Sequence, residues 1–106
     1  MAKILIWLSS NKKEILEPGI TYGINAKKHG WVEDVKFVIF GQAEKLLLED
    51  EELFNKLQEH AEPIFCKYIA DQIGITENLK QKGAKIKYVG KYISNLINDG
   101  YEVLTF

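Results

Sequence analysis

Cys66 is the only cysteine in the chain, and it closes the short apolar run PIFC at 63 to 66 just before a segment of helical character. A sulfur between a strand end and a helix start faces free backbone N–H groups and the positive end of the helix dipole. Protein thiols become nucleophilic in such settings. The packing alternative is a small apolar side chain that fills a strand end. One cysteine can form neither an intramolecular disulfide nor a four-cysteine zinc site.

Other chemistries lack their parts. The sequence contains no C-x-x-C pair, no phosphate loop of the G-x-x-x-x-G-K-S/T type and no G-x-G-x-x-G dinucleotide turn. The first apolar run ends in serines where a phospho-receiver has clustered acids, and SSNKKE lacks the glycine of a flavodoxin-type phosphate loop. His29 and His60 fall at expected helix C-termini, where the dipole favours an imidazole as a cap. Neither has metal-ligand spacing with Cys66 or a carboxylate, so no metal site and no cofactor is expected. Trp7, Trp31 and the tyrosines lack the interleaved basic residues of a base-stacking platform.

The elements that must position Cys66 follow from hydrophobic patterning. ILIWL (4 to 8), VKFVIF (35 to 40), PIFC, KIKYV (85 to 89) and YEVLTF (101 to 106) are of strand length. The first two are almost continuously apolar, as in strands covered on both faces, whereas the last two alternate like edge strands. Between them lie helical patterns. Pro18 is expected in the first turn of one helix that ends at His29 and Gly30. Ala43 to Leu48 starts another, and Asp50 caps a third whose stripe is Leu53, Phe54, Leu57 and Ala61. Lys67 to Ile73 is closed by Gly74, Thr76 reads as the next cap, and Ile93 to Asn98 forms the last helix before Gly100. The acidic run EDEE at 49 to 52 reads as a solvated helix start.

Strands alternating with helices imply right-handed crossovers and a mainly parallel sheet in a three-layer α/β/α sandwich. Ligands in such sheets bind at the carboxyl ends of the strands. That rim gathers Ser9, Ser10 and Asn11 after the first strand and Gly41 and Gln42 after the second. Cys66 and Lys67 follow the third, and Gly90, Lys91 and Tyr92 the fourth.

The 106 residues, 46% of them apolar, suit one domain spanning 1 to 106 without linker or repeat. Lysines and arginines number 14 against 15 acidic residues, so there is no charge excess with which to hold a nucleic acid. The apolar start is too short for a signal peptide, and no run approaches the roughly 20 residues that cross a bilayer. A cytoplasmic protein is expected, and a reducing compartment suits an unpaired thiol.

Three strings in order resemble the DsrE/DsrF-like family: FGQAEKLLLEDEEL after the second strand, FCKYIADQIGI around Cys66, and VGKYISNLINDGYEVLTF at the end. The resemblance covers nearly the whole chain and is nearest to the small stand-alone members. It implies a five-stranded sheet ordered 4-3-2-1-5 and a homo-oligomer such as a trimer or hexamer. With that order, the last crossover runs the other way and puts its helix on the face opposite the earlier ones. The resemblance also implies a sulfur-relay role in which Cys66 carries a persulfide between donor and acceptor proteins, as a carrier more than a turnover enzyme. Lys67 and rim amides would then stabilise the thiolate or persulfide, and Ser9, Ser10, Gln42 and Tyr92 would shape its pocket. Gln42 stands where relatives often have proline, and Lys67 where a small residue is common. Two other readings accompany it. One is a non-catalytic small-ligand-binding module using the same rim, and the other an oligomeric interaction subunit whose Val103 to Phe106 packs between protomers.

Overall fold

The apolar runs become five strands in the computed structural model, which describes residues 1–106. They are β1 (Lys3–Leu8), β2 (Asp34–Ile39), β3 (Ile64–Cys66), β4 (Lys85–Lys87) and β5 (Glu102–Thr105). Every pairing is parallel and the order is β4-β3-β2-β1-β5. The two alternating strands, β4 and β5, are the sheet's edges, as their patterns predict. Six helices connect the strands: α1 (Lys13–Lys28), α2 (Ala43–Glu49), α3 (Glu51–His60), α4 (Lys67–Ile73), α5 (Thr76–Gln81) and α6 (Gly90–Asn98).

Strand alternation sorts the core onto the two faces of the sheet. Ile4, Ile6 and Leu8 of β1 join Phe37, Ile39 and Phe65 in a cluster closed by side chains of α1 to α5, among them Leu16, Leu47, Leu57, Ala70 and Leu79. Leu5, Val38, Ile64 and Cys66 face the other way, against Val89 and against Ile93 and Leu96 of α6. The β4-to-β5 connection must pass to the far side of β1, and a right-handed crossover in that direction carries α6 to the opposite face. The result is a three-layer α/β/α sandwich.

Two glycines set how closely α1 approaches. A Cβ at Gly23 would lie 2.4 Å from Ile6 and from Phe37, and one at Gly19 would lie 2.5 Å from the Phe106 ring. Phe106 therefore packs within its own chain, and its carbonyl accepts the backbone N–H of Ser9 at 2.7 Å.

Several boundaries differ from the sequence expectations. Helix α1 begins at Lys13, so Pro18 lies inside it and not in its first turn. Pro18 has no N–H to give the Glu14 carbonyl, but it is on the exposed side, where water can satisfy that oxygen. Thr76 is the first residue of α5 and not its cap, because its hydroxyl donates to the Asp71 carboxylate. Helix α6 starts at Gly90, and β4 stops at Lys87. The expected caps elsewhere hold: Asp50 accepts the Leu53 N–H at 3.1 Å, and Gly74 closes α4 at φ 83°.

Candidate functional site

At the carboxyl edge, most of the expected rim residues tie loops together. The Ser9 and Ser10 amides both donate to the Phe106 carbonyl, the Ser10 hydroxyl accepts the Lys12 N–H at 3.1 Å, and the Ser9 carbonyl accepts the Ala43 N–H at 3.1 Å. Gly41, at φ 140°, presses on Ser9, whose carbonyl oxygen would be 3.0 Å from any Cβ placed there. Asn11 and Gln42 line one open hollow beside α2, whereas Lys67 lines another with Asp71 and Thr76. Gly90 opens α6 with free space around its Cα, and Lys91 beside it is exposed. The rim residues are not gathered into one cavity around the thiol.

Cys66 itself is 2% exposed and lines none of the cavities. It stands immediately before α4, its side chain makes no capping bond, and its apolar surroundings include Leu5, Val38 and Ile93. Lys67 turns away to bond the Asp71 carboxylate at 2.7 Å. That hydrogen bond holds the Lys67 ammonium above the ordinary lysine range and, with help from Thr76, holds Asp71 below the usual carboxylate range.

A second feature of this edge escaped the sequence reading. Glu44, in the first turn of α2, is completely buried, and neither carboxylate oxygen has a hydrogen-bond partner. Burial pushes its pKa up to about 8, opposed only weakly by the nearby Gly41 amide, which falls short of a hydrogen bond. The signal was present in the spacing: Glu44 precedes buried Leu47 by three residues and so shares the covered face of α2.

The concavity with the most mixed lining, apolar and charged, lies at the other end of the sheet. Strand β2 begins at Asp34, but β3 first meets it at the Val38–Ile64 pair. Residues 34–37 thus have no strand partner on that side, and β4 begins only opposite Ile64. The missing length of β3 leaves a gap through the sheet, a cavity of about 340 Å³. Its wall includes Ile24 and Lys27 of α1 on one face and Tyr92 of α6 on the other. Asp34, Lys36, Lys85 and Lys87 enter from the strands, and His60 from the end of α3.

Asp34 organises one side of this cavity. Its carboxylate accepts hydrogen bonds from Lys27 and the Tyr101 hydroxyl, and Lys36 stands 3.6 Å away. Partial burial acts to raise its pKa, but the two donors and the lysine charges prevail and bring it to about 2. The same bond pushes Tyr101 up to about 12. Tyr92, raised by burial, carries the Lys87 ammonium over its ring at 4.5 Å.

No family model matches the chain, and no curated protein matches it. Among solved structures it is similar to BT1422, a conserved protein of unknown function from Bacteroides thetaiotaomicron. The two share 19% identity over 98% of this chain and 94% of that one, with a TM-score of 0.84. This likeness shows the fold alone.

The expected carboxyl rim and this amino-edge cavity are thus separate places in the fold. Tyr92, expected at the carboxyl rim, lines the amino-edge cavity, because α6 runs back along the sheet from the end of β4. No three His, Cys, Asp or Glu side chains come together as a metal site, and no helix is long and apolar enough to cross a membrane.

Proposed function

We propose that this chain is a small-ligand-binding module whose site is the amino-edge cavity, with Cys66 serving as a packing residue. The observation that carries this reading is the gap left by the short β3. It creates a partly enclosed volume within the range of small-molecule sites, and polar backbone of residues 34–37 borders it without a strand partner on that side. A thermal-shift screen of small metabolites tests it. A ligand of the folded state raises the melting temperature saturably. Ala61→Trp, which adds an indole to the cavity lining, should abolish that rise while leaving the far-ultraviolet circular dichroism unchanged. A screen with no saturable hit, or a hit indifferent to Ala61→Trp, rejects the reading.

A second reading keeps sulfur chemistry. It is supported by the position of Cys66 between β3 and α4 and by the DsrE/DsrF-like strings around it. Local opening around α4 would admit a persulfide or polysulfide donor. The Cys66 thiolate would attack its outer sulfur, forming a new S–S bond as the donor's S–S bond breaks and its thiolate leaves. An acceptor thiolate would then take that sulfur and return Cys66 to the thiolate. This reading places the protein in the cytoplasm, where the thiol stays reduced, as a trimer or hexamer that meets donor and acceptor proteins. Intact-mass measurement after incubation with polysulfide tests it. Gain of whole sulfur atoms by the wild type and none by Cys66→Ser supports it; an unchanged wild-type mass rejects it.

A further inference from the structure

Resting on the ligand-binding reading of the amino-edge cavity, we infer that its ligand is a compact organic anion bearing a carboxylate or phosphate group, held by Lys85 and Lys87. The distribution of charge argues for this. The cavity is lined by four lysines and two carboxylates in a chain whose net charge is -1. Asp34 is already engaged by Lys27, Lys36 and Tyr101. Glu62, the other acid, is exposed and makes no ion pair with any of the lysines. Lys85 and Lys87 therefore have no carboxylate partner.

Strand alternation puts Lys85 and Lys87 on one face of β4, the face that Lys36 shares on β2. Lysines on an edge strand often serve only to discourage strand addition, and for that purpose they project into water. Lys85 and Lys87 are exposed in that way, but they also border a concavity, and Lys87 is held over Tyr92, whose phenol adds a donor at the wall. Like charges converging there repel one another, and a bound anion would reverse that repulsion. Ile24, Phe37 and Ile64 supply apolar wall for a carbon skeleton. A volume near the lower end of the small-molecule range favours a compact metabolite over a dinucleotide or a polymer.

The test is a set of NMR titrations at constant ionic strength with glycerol 3-phosphate and citrate as anionic probes and glycerol as the uncharged control. The expected result is saturable shifts of the Lys85, Lys87 and Tyr92 amides with at least one anion and none with glycerol. Affinity should be weakened about tenfold or more in a Lys85→Gln/Lys87→Gln variant. Binding of neither anion, or binding that the double substitution leaves unchanged, overturns the inference. If uncharged compounds from the thermal screen bind in a manner blocked by Ala61→Trp while the anions do not, the cavity remains a binding site and only its anionic preference falls. If nothing binds, both fall.

Discussion

Lys87 stands opposite Cys66 in the parallel register of β3 and β4, yet its ammonium lies over the Tyr92 ring at 4.5 Å. Tyr92 belongs at once to the cavity wall and to the side chains packed against the Cys66 cluster. The cation beside the thiol is thus held by an aromatic face on the cavity side, and the thiol itself is enclosed by aliphatic neighbours.

Cys66 should react slowly in the native protein. Iodoacetamide labelling followed by mass spectrometry should proceed at least about a hundredfold more slowly than in denaturant, because reaction requires a local opening that costs several kcal/mol. Labelling as fast as that of a free thiol would show that the native surface exposes the sulfur.

Glu44 should make the fold less stable as pH rises. Its pKa is about 8 in the folded protein against an ordinary value of 4.5, so the folded state binds the extra proton. The stability from this group is complete below about pH 4.5 and is lost as pH climbs through about 8, a change on the order of a few kcal/mol. Urea unfolding from pH 5 to 9 should show that slope in the wild type. It should be much reduced in Glu44→Gln, and Glu44→Leu should be the more stable protein at pH 9. Equal slopes in all three would place the carboxyl in contact with water.

Asp34 has the opposite sign. Its folded pKa of about 2 lies below the ordinary value of 3.8, so its contribution is present above pH 3.8 and disappears as pH falls through about 2. Asp34→Asn should cost about 2 kcal/mol at neutral pH and flatten the acid limb of the stability curve. The tyrosine absorbance titration should also move toward lower pH as Tyr101 loses the negative charge of its acceptor.

Gly23→Ala should destabilise in spite of the roughly 1 kcal/mol that alanine gains over glycine in a helix. The new methyl would meet Ile6 and Phe37 at 2.4 Å, inside the core, and overpacking of this kind costs about 1–3 kcal/mol. Gly19→Ala should destabilise in the same way, because the Phe106 ring it meets at 2.5 Å belongs to a residue whose backbone is hydrogen-bonded to Trp7 and Ser9. Thermal denaturation of the two variants checks both.

Much of the architecture was legible in the chain. Continuous apolar runs marked β1 and β2 as inner strands, alternation marked β4 and β5 as edges, and Asp50, Gly74 and Gly100 punctuated the helices where expected. These features are local, since an apolar face or a positive φ is a property of a few consecutive residues. The α6 face followed from the strand order and crossover handedness together. The site was less legible. KIK at 85 to 87 reads as an edge strand with solvated lysines, and nothing in it reveals that β3 starts too late to fill the space beside β2.

The sequence by itself determined the alternation of elements and the one cysteine's place at a strand end, because hydrophobic period and residue type are written in order along the chain. Only the tertiary structure decided that Cys66 is enclosed, that Glu44 is buried without partners, and that four lysines border a gap in the sheet. The physical reason is that burial and charge pairing depend on the relative length and register of strands far apart in sequence. Those offsets are settled by packing across the sheet, which local pattern does not encode.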